Sequence, residues 1–149
     1  MKISTKGRYG LRILLDLAIH QSEKKPRLIR DIAKSQQISE KYISRLVIAL
    51  RKAGMIRSVR GVNGGFHIAM KPEDITLLDV IEVMEGPLSI VDCVKAPKRC
   101  AMHENCAPRE IWCKLNDEIR DLMRQTTLAD ILESYKKQSA RDGMVDYCI

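Results

Sequence analysis

The first third of the chain carries apolar residues at the spacing of an α-helix. They recur three and four positions apart in segments 8–21, 28–37 and 40–54, which places them along one face of each predicted helix. In the first segment these residues are Leu11, Leu14, Leu15, Ala18 and Ile19. Thr5 is the predicted cap of the first helix and Ser39 that of the third. The second and third helices, joined by a short polar turn, have the dimensions of a helix-turn-helix.

The pattern changes from helical to alternating beyond Gly54, which ends the third helix. Segments 55–60 and 65–70 alternate apolar and polar residues, as short strands do. Between them, Asn63 and Gly64 supply the positive φ angles that a tight hairpin turn needs. A basic hairpin directly after a helix-turn-helix is a wing. The sequence therefore predicts a mostly α winged helix-turn-helix domain with a small β-wing.

Three further helices are predicted in the second half of the chain. Thr76 and Asp79 form a capping box at the start of one helix, and Thr127 and Asp130 form another at the start of the last. Between them, segment 108–125 opens with a proline, which suits the first turn of a long helix. Its apolar residues step by three, four and three positions, as in a helix that packs against another helix. They are Trp112, Leu115, Ile119 and Leu122.

These patterns divide the chain into four segments. The winged helix-turn-helix domain occupies 1–86 and a Cys-rich loop 87–107. Dimerisation and C-terminal helices follow over 108–138, and a flexible tail over 139–149. Only 4% of the 149 residues are aromatic although 45% are hydrophobic, so the core must be aliphatic. No segment approaches the ~18 consecutive apolar residues of a membrane span, and the first residues lack the apolar core of a signal peptide. We expect a cytoplasmic protein with no membrane partner.

The charge of the chain is divided unevenly between its halves. Residues 1–71 contain 16 Lys and Arg against four Asp and Glu, whereas residues 72–149 contain ten against 15. The net charge of +7 thus combines a basic front half with an acidic back half. A basic half that also carries a helix-turn-helix favours double-stranded DNA as its partner.

The DNA-reading surface is predicted from the face of the third helix that points away from the core, and from the wing. Arginine pairs bidentately with guanine in the major groove, and serine bonds to several bases. Glycines in the wing bring the backbone close to phosphate. The predicted contact residues are Lys41, Tyr42, Ser44, Arg45, Arg51, Arg60, Gly61 and Gly64. The alternative interpretation is a solvated basic face beside glycines that only make the turn.

Four of the five cysteines lie within 93–113, where six, five and six residues separate Cys93, Cys100, Cys106 and Cys113. Disulfides are rare in the cytoplasm, so clustered thiols indicate metal or redox chemistry. Thiolates are soft ligands of the kind that iron–sulfur clusters take. Zinc sites more often show paired C-x-x-C knuckles, which this segment lacks.

Several stretches together resemble the IscR-type iron–sulfur cluster regulators, a family with NsrR and CymR as relatives. They are MKISTKGRYGLR, YISRLVIALRKAGMIRSVRGVNGGF, ITLLDVIEVMEGP and the Cys-rich loop. The resemblance extends from Met1 to roughly Leu132. It implies a homodimer that binds a DNA palindrome, with the long helix as dimer interface and Arg60 in the minor groove. IscR has Glu-Gln where this chain has Ser44-Arg45, so a different DNA sequence preference is expected.

The same resemblance implies that Cys93, Cys100 and Cys106 hold a cluster, 2Fe–2S in preference to 4Fe–4S. The fourth ligand is open. The position of the histidine ligand of IscR is Arg109 here, and that of the aspartate ligand of NsrR is Arg8. Neither arginine can be a normal ligand. The candidates for the fourth ligand are Cys113, His103 and Glu104.

The predicted function is a dimeric transcriptional regulator that senses iron–sulfur cluster status, as affected by iron, redox state or nitric oxide. One alternative is a CymR-like thiol regulator of cysteine metabolism. Such a regulator would act with cysteine synthase through the C-terminal tail, which ends in Ile149. Lys95, Lys98, Arg99 and Arg109 would favour the reactive thiolate. Another is a zinc-bound version of the same DNA binder. An enzyme is the weakest interpretation, since no group is seen to orient a Cys–His pair.

Overall fold

The computed structural model describes the backbone of residues 2–145 and the side chains of residues 2–141. This part of the chain forms a mostly helical fold with one small antiparallel sheet, which confirms the predicted fold class. The helices are α1 (Thr5–Ile19), α2 (Ile29–Gln36), α3 (Glu40–Lys52), α4 (Leu77–Glu85), α5 (Asp92–Lys95), α6 (Ala107–Gln125) and α7 (Leu128–Val145). The strands are β1 (Ile56–Val59) and β2 (Gly65–Ile68), and short 3₁₀ turns lie at Pro72–Asp74 and Pro97–Arg99.

The helix α1 lies at the centre of an aliphatic core and contacts α2, α3, α4 and α7. Its most buried apolar residues are Ile13, Leu14 and Leu17. The buried face of α1 is rotated from the predicted apolar stripe. Leu11 and Leu15, which belong to that stripe, lie at the edges of the buried face and remain partly exposed. Further buried core residues come from every neighbouring helix. They include Ile32, Ile43, Leu50, Ile56, Ile75, Val80, Leu128 and Leu132.

The cap of α1 differs from the prediction. Ser4, not Thr5, is the N-cap, and its hydroxyl accepts bonds from the amides of Lys6 and Gly7. The Ser4 amide and hydroxyl also donate to the carboxylate of Glu85, each at 2.8 Å. This contact fixes the start of α1 to the end of α4. Because the partner of Ser4 is 81 residues away, the contact that makes Ser4 the cap in place of Thr5 could not be predicted from the local sequence.

The helix-turn-helix follows the prediction closely. Gln37, with a φ of 54°, ends α2 in the left-handed conformation. Ser39 caps α3, and its hydroxyl accepts a bond from the amide of Tyr42, as expected. Gly54, with a φ of 75°, ends α3 without the strain that a side chain would bring at this angle.

In the wing, β1 pairs with β2 from Ile56↔Ile68 to Val59↔Gly65. The predicted Asn63-Gly64 turn with positive φ angles is wrong, because the only positive φ angle in the segment joining β1 and β2 belongs to Gly61 (117°). The loop closes through a bond from the Gly64 amide to the Gly61 carbonyl at 2.9 Å. With five residues between the strands, the loop needs one left-handed position instead of the two of a two-residue turn.

Both predicted capping boxes are present, and the two helix starts lie side by side. The side chains of Asp79 and Asp130 each accept a bond from the backbone amide of their own threonine, which in turn accepts from the aspartate amide. An antiparallel bridge then joins Thr76 to Thr127. Through it α7 returns to the first domain, so the core continues across the predicted boundary at residue 86.

The C-terminal helix extends further than the sequence suggested. The predicted helical region ended at residue 138, whereas α7 runs to Val145. The C-terminal Ile149 on which the partner hypothesis rests lies outside the described residues. None of the helices between residues 2 and 145 combines the length and apolar character needed to cross a membrane.

Candidate functional site: a basic helix and wing joined to a thiol-rich segment

The outer face of α3 is basic and open. Ile43, Leu46 and Leu50 pack into the core, which turns Lys41, Ser44 and Arg45 outward, as predicted. The Ser44 hydroxyl donates to the carbonyl of Glu40 at 2.8 Å, and its lone pairs stay available for a further bond. Arg51 and Lys52 continue the exposed face at the end of the helix.

Tyr42 is placed differently from its neighbours on α3. Its ring is partly buried and meets Tyr9 edge to face, with ring centroids 5.8 Å apart and an interplanar angle of 82°. The guanidinium of Arg12 lies over the Tyr9 ring at 5.3 Å and also donates to the side chain of Gln36 at 3.2 Å. Through this ring contact Tyr42 holds the start of α3 against α1.

The wing presents Arg60 and Val62 at its exposed end, and Val62 is fully accessible. The two predicted glycines have a structural role here. A Cβ atom on Gly64 would lie 2.3 Å from the Val59 carbonyl, so only glycine fits, and Gly61 supplies the positive φ. The loop thus keeps Arg60 at the exposed edge of the wing, where it borders a recess shared with Ile29 at the start of α2.

A buried carboxylate, which sequence reasoning missed, joins the wing to the helix-turn-helix. Asp16 is 1% exposed and accepts bonds from Arg27 Nε at 2.9 Å and Ser35 Oγ at 2.6 Å. The bond to Asp16 raises the pKa of Arg27 above its usual value. The backbone of Arg27 pairs with Phe66 of β2, each amide donating to the other's carbonyl at 2.9 Å. Asp16 of α1 is therefore joined to α2 through Ser35 and to the wing through Arg27.

The thiol-rich segment is a loop with two short turns. Cys93 lies in α5, Cys100 follows the second 3₁₀ turn, Cys106 caps α6, and Cys113 lies within α6. All four are partly exposed free thiols. His103 Nδ1 lies 2.9 Å from the carbonyl of Cys100.

As the loop stands, the thiols do not converge. Over the part of the chain that the structure describes, no three Cys, His, Asp or Glu side chains are grouped to hold one metal ion. The chemistry of the donor set nevertheless fits an iron–sulfur cluster, since three soft thiols lie in one short segment. Binding would require the loop to close around the cluster.

One end of this loop is fastened to both neighbouring helices by three side chains, which we call the clasp: Glu82 of α4 and Asn116 and Arg120 of α6. Glu82 accepts a bond from the Leu88 amide at 3.0 Å and pairs with Arg120. Arg120 also donates to the Leu88 carbonyl at 3.2 Å. Asn116 is buried and accepts from the Ile90 amide at 3.2 Å. The clasp ties the loop, α4 and α6 into one network.

The side of α6 next to the clasp carries an apolar seam, most of which is exposed within the described chain. It extends the predicted stripe by one residue towards the cysteines. The seam consists of Ile111, Trp112, Leu115, Ile119 and Leu122. Leu122 is 67% exposed and Ile111 57%. An apolar stripe of this kind on a long helix is typical of a helix that packs against another.

A helix-turn-helix followed by a β-wing, with basic side chains along the outer face of α3, defines the class of winged helix DNA-binding proteins. The chain belongs to the Rrf2 family of transcriptional regulators. The model of that family, described as "Iron-dependent Transcriptional regulator", matches residues 3–134. The predicted kinship with IscR-type regulators is thereby confirmed.

Individual relatives of known structure cover nearly the whole chain. The transcriptional regulator CymR of Bacillus subtilis is 40% identical over 131 residues, 88% of this chain and 89% of that protein. Its structure, described as that of the global cysteine regulator, has a TM-score of 0.78 at 39% identity, covering 90% of this chain and 98% of the other. The IscR of T. potens has a TM-score of 0.74 at 36% identity, covering 93% and 90%.

Proposed function

We propose that this chain is a homodimeric repressor or activator whose binding to a palindromic DNA operator depends on an iron–sulfur cluster. The observation that carries the proposal is the position of the thiol-rich loop. It is bonded at the clasp to α4 of the winged helix-turn-helix domain and to α6, and it continues into α6, the helix that carries the apolar seam. A change in the loop can therefore alter how two DNA-reading domains are held.

In this proposal Cys93, Cys100 and Cys106 supply three thiolate ligands to a 2Fe–2S cluster. A bound cluster would supply a centre that iron shortage, oxidants or nitric oxide can remove. For the fourth ligand, Cys113 follows Cys106 by seven residues, about 10 Å along the helix axis. His103 and Glu104 lie inside the loop that must close, so they can move with it. Because Cys113 is held within α6 whereas His103 and Glu104 can move with the closing loop, we favour a fourth ligand from the loop.

The DNA-reading role is assigned to α3 and the wing. Lys41, Ser44 and Arg45 lie on the exposed face of α3, which fits a major groove. Arg60 lies at the wing, where it can reach an adjacent minor groove. We assign Arg51 and the backbone at Gly61 to phosphate contacts, and Gly64, whose amide donates to the Gly61 carbonyl, to shaping the loop that presents them. Tyr42 contributes by positioning the start of α3 against α1. Its hydroxyl group is the part of its side chain that could bond to a phosphate.

Anaerobic purification tests the sensing role. We expect a visible chromophore with two iron and two sulfide per chain, whereas four of each would indicate the other cluster type. Replacing Cys93, Cys100 and Cys106 together by Ala should abolish the chromophore, while Cys113→Ala should leave it. His103→Ala and Glu104→Ala then identify the fourth ligand. A triple variant that keeps its iron and sulfide would refute the assignment.

A second candidate is a thiol regulator of the CymR kind, supported by 40% identity to CymR and by partly exposed free thiols beside basic residues. In that case the purified protein would hold no iron, and DNA binding would respond to a thiol oxidant. A zinc-bound form would show about one zinc per chain and no colour. Cysteine synthase as a partner is tested by co-purification with and without the last four residues.

A further inference from the structure

The exposed face of α3 contains one residue that does not match the rest. Ile48 is a branched aliphatic side chain that is 58% exposed. It lies one turn after Ser44 and Arg45 and one turn before Arg51 and Lys52 on the same side of the helix. The neighbouring apolar residue Val47 is 5% exposed and faces the core, so the core does not require an isoleucine at position 48.

Ile48 also borders a small recess between α3, the start of α2 and the wing. The recess has a volume of about 190 Å³, and its apolar walls come from Ile29, Val47 and Phe66. Ser44 and Arg51 lie at its polar edge. One basic residue, Arg51, borders this apolar recess, and Arg45 and Lys52 lie on the same exposed face of α3, which suits an anionic partner with a small apolar group. Duplex DNA has such a group in its major groove, the C5-methyl of thymine.

We propose that Ile48 reads thymine, by packing against the C5-methyl group of one base in each half of the operator. The inference deepens the proposed function and rests on it, since it requires that α3 enters the major groove. Ser44 and Arg45 can bond to base edges, whereas Ile48 can only make apolar contact. The two kinds of contact are complementary, because thymine is distinguished in the major groove by its methyl group as well as by its oxygen.

The test removes the methyl group from the DNA and the side chain from the protein. An operator is first selected from random DNA with the wild-type chain, and each thymine is then replaced by deoxyuridine, which lacks only the C5-methyl group. We expect one position per half-site at which the replacement weakens wild-type binding about fourfold, the effect of burying one methyl-sized group. In Ile48→Ala the same replacement should have no effect.

Two variants serve as controls. Ile48→Val keeps a branched apolar side chain and should keep most of the discrimination between thymine and deoxyuridine. Val62→Ala truncates an aliphatic residue on the wing that is still more accessible than Ile48, and it should leave that discrimination unchanged. Thermal unfolding of each variant shows whether the fold is kept, which we expect because both residues are exposed.

The outcomes separate the inference from the function on which it rests. If the wild-type chain selects no DNA sequence, the proposed function fails. If it selects an operator but the deoxyuridine effect is absent, or persists at full size in Ile48→Ala, the assignment of Ile48 is wrong and the proposed function stands. Loss of the effect in Ile48→Ala alone supports the inference.

Discussion

At the scale of single residues, Arg45 and Arg60 have the same charge and different predicted tasks. Arg45 lies on the exposed face of α3, where a guanidinium can bond to both acceptors of guanine. We expect Arg45→Ala to lose about 1–3 kcal/mol of discrimination at one base pair in each half-site. Selection from random DNA measures this, with Lys52→Ala at the end of α3 as the control. A selected sequence unchanged by Arg45→Ala would contradict the prediction.

Arg60 is expected to read the shape of the minor groove rather than its bases. The wing loop holds it at the exposed edge of the wing, and narrow A·T-rich minor grooves have the most negative potential. Arg60→Ala should therefore weaken binding most at operators whose flanks are A·T-rich. Replacing those flanks by G·C-rich sequence should weaken the wild-type chain and have little effect on the variant. If both proteins respond alike to the flanks, Arg60 does not read them.

Hydrogen bonds of single side chains could be predicted where the bonding partner is close in sequence, and could not be predicted where it is distant. Ser39 and both capping boxes were found because their partners lie within three residues. Asp16 was missed, because its partners Arg27 and Ser35 come from another part of the chain. In the sequence it is one acidic residue within an apolar helix. Only folding shows that this carboxylate holds α2 and the wing in place.

At the scale of elements, the clasp is the contact through which the loop can act on the DNA-reading domain. Arg120→Met keeps an unbranched apolar stem but removes the pairing with Glu82 and the bond to Leu88. We expect a loss of about 1–3 kcal/mol in the free energy of unfolding, because a partly buried carboxylate is left without its partner. We also expect the ratio of DNA affinities with and without cluster to fall towards one.

The control for this prediction lies on the same helix. Arg124 pairs with Asp121 on the exposed side of α6, and surface pairs of this kind contribute ~0–1 kcal/mol. Arg124→Met should therefore affect neither stability nor the affinity ratio appreciably. Hydrogen exchange at residues 88–91 should be faster in Arg120→Met than in Arg124→Met. Equal exchange and equal affinity ratios in the two variants would show that the clasp carries no coupling.

The elements themselves were mostly predictable, and the exceptions have physical causes. Helical and alternating periods located α1 to α4, α6 and both strands to within a few residues. The hairpin turn was mispredicted because Asn-Gly is a strong signal only when two residues join the strands, and here five do. The clasp was not predictable, since Glu82 and Arg120 are 38 positions apart and each is an ordinary charged residue on its own helix.

At the scale of the whole molecule, the apolar seam of α6 predicts a homodimer. Leu115→Asp or Ile119→Asp places a charge in the middle of the seam, and burying an unpaired carboxylate is strongly unfavourable. We expect these variants to sediment as monomers at micromolar concentration, whereas the wild-type chain sediments as a dimer. Lys114→Asp introduces the same residue on the solvent side of α6 and should remain dimeric. A monomeric wild-type chain would contradict the prediction.

A dimer with two DNA-reading domains also sets the geometry of its operator. The domains should bind half-sites whose centres are about one helical turn, ~34 Å, or a multiple of that apart. Inserting about five base pairs between the half-sites turns one of them to the opposite side of the duplex. This insertion should reduce the affinity of the dimer to that of a single half-site, and the Leu115→Asp monomer should not respond to it.

If ~6–10 phosphates are neutralised, wild-type affinity should fall ~10³–10⁵-fold between ~50 and ~200 mM salt. The monomer should show about half the slope of log affinity against log salt, because it meets half the phosphates. Equal slopes for dimer and monomer, or indifference of the dimer to the insertion, would show that the two domains do not bind one operator together.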